Sequence, residues 1–426
     1  MESLLKFDGL RLPSFPGWAP SPYHRVMTGA RWGVDVAIMG GCGHVGLPLG
    51  IALAGAGVNV ALYDTDLAAV DTVRSGKMTH FEPCAQAMLE EVLANARLSV
   101  TSDPAVLASS EHVVVVLGTP IDEHLNPDPY AVIDALEQVS DHFREHQLLV
   151  LRSTVFPGVT RMVERLMHRM NKSVDVAFCP ERIAEGRAME ELRSLPQIVS
   201  GRTNRAVERA EALFRHLTDS IVRVTPEEAE LAKLFTNSYR YIKFAAANQL
   251  YMMANDFGLD YERIRAAIVH DYPRAADLPS AGFAAGPCLF KDTMQLAAFN
   301  NNNFHLGQAS VQVNEGLPLY LTSRIAARFD LGSMTVGILG MAFKGESDDN
   351  RSSLAYKLKR ILKVRAAGVL TTDPYVVTDQ ELWPLDEVLA RSDLIVIGAP
   401  HRSYADLAIP QPVIDIWNIR KAGVLI

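Results

Sequence analysis

An apolar run, Val34–Met39, empties into Gly41-Cys42-Gly43-His44-Val45-Gly46 and then into a helix-length segment. A buried strand, a glycine turn and a helix in that order leave the chain few options. Glycine at 41 permits a tight turn, at 43 a close approach to a pyrophosphate, and at 46 close strand–helix packing. The helix start offers free N–H groups and positive dipole to an anion, so the loop Gly41–Gly46, with Cys42, His44 and Val45 inside it, is expected to cradle phosphates. The next apolar run, Asn59–Tyr63, ends at Asp64, roughly 20 residues beyond Gly43, where a carboxylate accepts hydrogen bonds from a ribose. Asp64 repels a 2′-phosphate, so the pattern predicts NAD, not NADP. Cys42 reads as a small spacer rather than a nucleophile.

Further apolar runs at His112–Leu117, Gln147–Leu151 and Val174–Phe178 are separated by helix-length segments. Continuous apolar strands of this kind belong to a doubly wound parallel sheet covered on both faces. At Thr225-Pro226-Glu227-Glu228 the pattern changes to a helix start, with Thr as N-cap, Pro at the first helical position and Glu placed for a capping box. That helix is predicted to run to about Asp256, a length of about 45 Å that suits a spine between domains or a dimer interface. A second alternation follows, with strands at Thr335–Leu339, Val369–Thr371, Leu394–Ile397 and Val413–Ile416. The expected plan is α/β, two Rossmann-like doubly wound parallel-sheet domains joined by a long central helix. The predicted divisions are an irregular extension (1–33), a cofactor domain (34–222), a central helical segment (223–330) and a second α/β domain (331–426).

Composition narrows the function. A net charge of −8 with no basic block argues against nucleic acid or an anionic membrane as the main partner. No stretch approaches the roughly 20 apolar residues of a membrane span, and Met1–Arg31, with Pro13, Pro16, Pro20 and Pro22, has no apolar core of signal-peptide length. The four cysteines, Cys42, Cys84, Cys179 and Cys288, are far apart and form no CxxC pair. No disulfide framework or metal site is expected, and a reducing cytoplasm fits.

Gly282-Phe283-Ala284-Ala285-Gly286-Pro287-Cys288-Leu289-Phe290-Lys291-Asp292 is the second informative segment. Small neighbours leave Cys288 open from one side, and the nearby Lys291 cation favours thiolate. On these residues alone an inert buried cysteine is the stronger reading. Other motifs change that. In order, the chain carries the loop Gly41–Gly46, Gly118-Thr119-Pro120, Ser153-Thr154-Val155 with Pro157-Gly158, and Cys179-Pro180-Glu181 with Glu185-Gly186. Then come Glu230-Leu231-Ala232-Lys233 with Asn237, Cys288 with Lys291-Asp292, Phe343-Lys344, and Asp349 with Arg351. In this set, from Val34 to the C-terminus, the chain resembles the UDP-glucose/GDP-mannose dehydrogenase family of nucleotide-sugar 6-dehydrogenases.

The resemblance implies an N-terminal NAD domain, a long helix at a homodimer interface and a C-terminal domain for the nucleotide. It also implies a reaction in which NAD removes two hydrides from the C6 carbon of a UDP-sugar, UDP-glucose or a UDP-N-acetylhexosamine, through a thiohemiacetal and a thioester. GDP-mannose is the alternative substrate. By the resemblance Cys288 is the nucleophile, Lys233 stabilises oxyanion charge, and Asn237 holds substrate or an ordered water. Lys233 and Asn237, at i and i+4, share a helix face, and the flanks Leu231, Leu234 and Phe235 suggest a helix packed on protein. Asp292 orders a catalytic water, Thr154 lies near it and the nicotinamide, and Glu181 activates water for thioester hydrolysis. Glu185 lines the sugar. Gly118, Thr119 and Pro120 are carried over as cofactor contacts. Arg274 reaches the partner subunit's site, Phe343 stacks on the base, Lys344 meets the diphosphate, and Arg351 sits where cofactor and substrate join. The chain departs from the family pattern at Ala284-Ala285, Leu289-Phe290 and Arg182-Ile183. The first two changes alter a loop that touches the sugar, so the sugar's identity stays open.

Overall fold

A computed structural model describes residues 32–119, 121–122 and 127–426. The Met1–Arg31 extension and Pro120 lie outside these described residues. Eight strands make the larger sheet: β1 (Val34–Met39), β2 (Val60–Tyr63), β3 (Leu98–Thr101), β4 (Ser110–Val115), β5 (Leu148–Leu151), β6 (Asp175–Phe178), β7 (Gln197–Gly201) and β8 (Ile221–Val224). Their order is β3-β2-β1-β4-β5-β6-β7-β8. Val36 and Ile38 enter the core on one face while Ala37 and Met39 enter the core on the other. Burial on both faces is what makes β1 read as an unbroken apolar run.

The expected parallel sheet holds from β3 to β6 and needs one correction beyond it. β7 runs antiparallel to β6, and β8 is parallel to β7. Of the three strands absent from the sequence-based plan, β3 and β8 sit at the two sheet edges and are partly exposed. An edge strand buries one side and carries polar residues on the other, as Ser99 and Arg223 do, so it lacks the continuous signal.

The second sheet comprises β9 (Thr335–Leu339), β10 (Gly368–Thr372), β11 (Leu394–Ile397) and β12 (Val413–Ile414), in the order β10-β9-β11-β12, all parallel. Between the sheets runs a helix of 31 residues, Pro226–Asp256, about 46 Å long. Its capping box is formed: the Thr225 hydroxyl accepts from the Glu228 N–H, and the Glu228 carboxylate accepts from the Thr225 N–H at 2.7 Å. The long helix packs on helices Leu289–Phe299 and His305–Arg328. Buried Asn248 pins the cysteine-bearing segment to it, donating to the Gly282 carbonyl at 3.0 Å and accepting from the Gly282 N–H at 2.9 Å. Among the described residues no helix is long and apolar enough to cross a membrane.

β1 lies between β2 and β4, so the strand order reverses there, and a crevice opens beyond the C-terminal strand ends. Gly40–Gly46 follows β1, Gly118-Thr119 follows β4, Arg152–Thr154 follows β5 and Cys179–Glu181 follows β6. Because these strands are parallel, all four segments emerge on one side of the sheet.

Candidate active site

The glycine loop meets one expectation with a shift of residue. The left-handed turn falls on Gly40, at φ +79°, not on Gly41. Gly41 is required by packing, since a Cβ there would lie 2.7 Å from the Leu62 Cβ. A Cβ on Gly46 would lie 2.3 Å from the Gly40 carbonyl oxygen, so helix and strand do pack closely. Gly43 is different: among the described residues its Cβ position meets only the Gly40 oxygen, at 3.7 Å, and that of Gly118 meets nothing within 4 Å. Among the described residues no packing demands glycine at these two positions, so a ligand could approach the backbone closely there. Asp64 accepts from the Cys42 N–H at 3.0 Å and from the Asp66 N–H at 3.1 Å, standing at the end of β2 beside the loop. Burial first, then the charge of Asp64, pushes the Cys42 thiol up to about 12, so it is inert as a nucleophile.

Cys288 occupies the N-cap position of helix Leu289–Phe299; the residue reaches the surface, although the protein packed around its thiol partly desolvates it. One turn along, Asp292 is buried and accepts from the Asn237 amide at 2.6 Å. Its other oxygen, Oδ1, is buried without a hydrogen-bond partner and lies 3.6 Å from the Lys291 ammonium. That ammonium donates to the Thr119 hydroxyl at 3.0 Å, and Thr119 donates to the Thr154 carbonyl at 2.6 Å. The helix that begins at the thiol is therefore moored to the segments after β4 and β5. Crowding of the thiol raises its pKa, and Asp292 raises it further, while Lys233, Lys291 and Arg351 pull it down. Lys233 is half-buried and forms no hydrogen bond or ion pair to the described residues. Leu234 is fully buried as expected, but Phe235 faces solvent, so this stretch of helix is packed on one side only.

The C-terminal domain closes the other side. Gly286 has φ +97°, and a Cβ on it would lie 2.6 Å from the Phe343 ring, so the cysteine loop and the Phe343 loop touch. The Lys344 ammonium donates to the Glu185 carbonyl, and burial lowers its pKa. Arg351 grips Asp349 through two nitrogens, Nε–Oδ1 at 2.9 Å and Nη2–Oδ2 at 2.6 Å. His44, Glu185 and Asp349, from the glycine loop, the segment after β6 and the C-terminal domain, bring one side-chain N or O atom each within 4.8 Å of one another. Burial, then the neighbouring Asp349 charge, raises the Glu185 carboxyl to about 7.

Glu181 is engaged in a way the resemblance does not imply, and Arg274 keeps to the surface of the single chain. Glu181 is buried, and all four of its lone-pair directions are used. Oε2 accepts from Nε and Nη2 of Arg152, and Oε1 from the N–H groups of Arg182 at 2.7 Å and Ile183 at 2.9 Å. A carboxylate so engaged anchors a loop and has no free lone pair for water. Arg274 is exposed and folds onto Tyr272, with Nε donating to its hydroxyl at 2.8 Å.

Sequence reasoning missed the segment Thr79–Glu82, whose four residues each hold a wall of the crevice. The Thr79 hydroxyl donates to the Cys42 carbonyl at 2.9 Å, and the His80 ring stacks on His44 at 4.3 Å. The Phe81 N–H donates to Asp348 at 2.8 Å, and the Glu82 carboxylate accepts from the Gly186 and Ala188 N–H groups, both at 2.8 Å. Its only sequence signal was a buried-type carboxylate, Glu82, in a loop. Arg152, the partner of Glu181, stands one residue past the apolar run of β5.

Models of three domains match in order: the NAD-binding domain of the UDP-glucose/GDP-mannose dehydrogenase family at residues 34–218, its central domain at 227–316 and its UDP-binding domain at 337–422. The chain is 30% identical over 382 residues to a UDP-N-acetyl-D-mannosamine dehydrogenase of Pyrococcus horikoshii, covering 87% of this chain and 90% of that one. It is 26% identical to the UDP-glucose 6-dehydrogenase TuaD of Bacillus subtilis, over 80% of this chain and 76% of that one. The solved structure of the UDP-D-ManNAc dehydrogenase of Pyrococcus horikoshii superposes with a TM-score of 0.83 at 28% identity, over 90% of this chain and 96% of that one. The glycine cradle with Asp64, the moored cysteine helix and these matches together make the chain an NAD-dependent nucleotide-sugar dehydrogenase, a member of the UDP-glucose/GDP-mannose dehydrogenase family.

Proposed function

We propose that the chain oxidises the C6 alcohol of a UDP-sugar, a UDP-N-acetylhexosamine or UDP-glucose, to the carboxylate through a thioester on Cys288. The observation that carries this reading is the Lys291–Thr119 hydrogen bond. It moors the helix headed by Cys288 to the strand ends where the cofactor crevice opens. NAD, when bound, accepts a hydride, and one sugar consumes two.

Asn237 orients Asp292 so that Oδ1 holds a water, and through that water Asp292 takes the alcohol proton as the first hydride leaves C6. The Lys233 ammonium, with no partner among the described residues to release, meets the oxyanion charge on O6. The Cys288 sulfur then bonds to the aldehyde carbon, and Lys233, Lys291 and Arg351 favour its thiolate. Loss of the O6 proton with the second hydride gives the thioester. Water adds to its carbonyl, the C–S bond breaks, and the sulfur leaves as the thiol with one of the water's two protons, freeing the carboxylate product. Glu185, with a carboxyl near neutrality, accepts the water's other proton, the part that the family pattern gave to Glu181. Glu181 instead fixes the Arg182–Ile183 backbone leading to Glu185. In the C-terminal domain Phe343 offers its ring to the base, and Lys344 and Arg351 offer charge to the diphosphate.

The outer face of the long helix exposes Phe235, Tyr239, Leu250 and Met253, with Phe257 just past its end. Such an apolar stripe suits a second copy of the chain, which would bring Arg274 towards the partner subunit's crevice. The test is a count of NADH formed per sugar across UDP-N-acetylhexosamines, UDP-glucose and GDP-mannose. Two NADH per UDP-sugar, with the uronate as product, supports the proposal. One NADH and a released aldehyde overturns it.

A further inference from the structure

His80 lies at the centre of the Thr79–Glu82 segment and has no part in the chemistry above. It is only 6% exposed, and its Nε2 has no hydrogen-bond partner among the described residues. The tautomer follows from its neighbour. The Thr79 hydroxyl carries one proton, and the Cys42 carbonyl, 2.9 Å away, only accepts, so the proton points there. At 3.0 Å from the same hydroxyl oxygen, His80 Nδ1 is then the donor. Nε2 is left as a bare lone pair on a neutral ring. Burial, with His44 and Arg351 nearby, holds the ring's pKa down to about 3, so this lone pair stays unprotonated across the working range.

A buried acceptor without a partner carries a desolvation cost that the ligand-free fold does not recover. This one sits against the glycine loop, stacked on the residue after Gly43, and within electrostatic reach of Arg351 and Asp349 of the C-terminal domain. It thus stands at the seam where the cofactor crevice meets the nucleotide domain. On the function proposed above, the bound ligands would bring hydroxyl donors to that seam, from the riboses of the cofactor and from the nucleotide sugar. Of the acidic acceptors there, Asp349 is gripped by Arg351, while Asp64, with one N–H on each oxygen, keeps a lone pair on each for a ribose.

We propose that His80 is a ligand-binding residue whose Nε2 accepts a hydrogen bond from a hydroxyl of a bound nucleotide, contributed by a cofactor ribose or by the nucleotide sugar. The inference rests on the reading of the crevice as a nucleotide-sugar dehydrogenase site. Three variants test it: His80→Phe keeps a ring on His44 and removes the acceptor, His80→Gln places an amide oxygen near the Nε2 position, and His80→Asn places its amide at the Nδ1 position only. The readouts are the KM for NAD, the KM for the nucleotide sugar that the wild type turns over, and the Tm of the ligand-free protein.

The expected result for His80→Phe is a rise of about fivefold or more in one of the two KM values, with Tm unchanged or higher. His80→Gln should return that KM to within about twofold of wild type, and His80→Asn should not. A rise in the NAD value identifies a cofactor hydroxyl, and a rise in the other a sugar or nucleotide hydroxyl. The proposal is overturned if neither KM moves in His80→Phe, which would leave Nε2 to a structural water, or if Asn rescues as well as Gln. It is also overturned if both KM values rise while Tm falls, the pattern of a residue that only supports the fold. A wild type that turns over no nucleotide sugar would instead sink the underlying reading.

Discussion

At the scale of residues, the Cys288 thiol feels four charged side chains, and their signs decide when it acts. Desolvation by the protein packed around the thiol, and then Asp292, favour the protonated form, and Lys233, Lys291 and Arg351 oppose them without winning in the ligand-free chain. The rate of Cys288 alkylation by iodoacetamide should therefore rise with pH through a midpoint above that of an ordinary cysteine. Asp292→Asn removes a raising charge and should move the midpoint down. A midpoint below the ordinary range in the wild type would contradict this balance. Glu185 makes a second prediction. Its folded pKa, about 7, lies above its unfolded value, so its contribution to stability is fully present below the unfolded pKa and is lost as pH rises through 7. Glu185→Gln should therefore leave the Tm near wild type at pH 4 and raise it at pH 8, by a stability gain on the order of 2 kcal/mol. Equal Tm values at pH 8 would show that the carboxyl is not raised. Residue identities such as Asp64 and Cys288 were legible because each motif fixes a position along the chain. The engagement of Glu181 was not, because its partner Arg152 is 29 residues away and reaches it only once β5 and β6 pair.

At the scale of elements, the long helix carries two programmes in one sequence. One side is buried through Leu234, Tyr241, Asn248 and Tyr251, and holds the cysteine loop through Asn248. The other side leaves Phe235, Tyr239, Leu250 and Met253 in solvent in the single chain. If this face carries the proposed dimer, Met253→Glu should shift the protein towards monomer in sedimentation velocity, with the NAD affinity little changed. A wild type that sediments as a monomer at micromolar concentration would contradict the assignment. The helix was legible from its cap and length, and the strands β1, β2, β4, β5, β6 and β9 to β12 from their apolar runs, to within a few residues. Strands β3 and β8, half-exposed at the sheet edges, and β7, which turns antiparallel, were hidden because their apolar signal is short and mixed with polar side chains. Likewise the shift of the turn from Gly41 to Gly40 depends on φ, which the glycine spacing does not report.

At the scale of the whole molecule, function depends on three distant parts of the chain meeting at one crevice. The glycine loop follows β1, the thiol sits beside the long helix, and the Phe343–Arg351 loop follows β9. Lys291 to Thr119, Gly286 to Phe343 and Lys344 to Glu185 are the contacts that join them. None of these pairs is close in sequence, so the order of the motifs announced the parts, and only the fold supplied their meeting. The central claim is that the sulfur of Cys288 and the hydride acceptor serve one carbon. Its most direct test is a stoichiometric reaction of Cys288→Ser with nucleotide sugar and excess NAD, followed by NADH absorbance and product mass. The expected result is at most about one NADH per active site and no carboxylate. Two NADH per sugar, with uronate formed at the wild-type rate, would contradict the account.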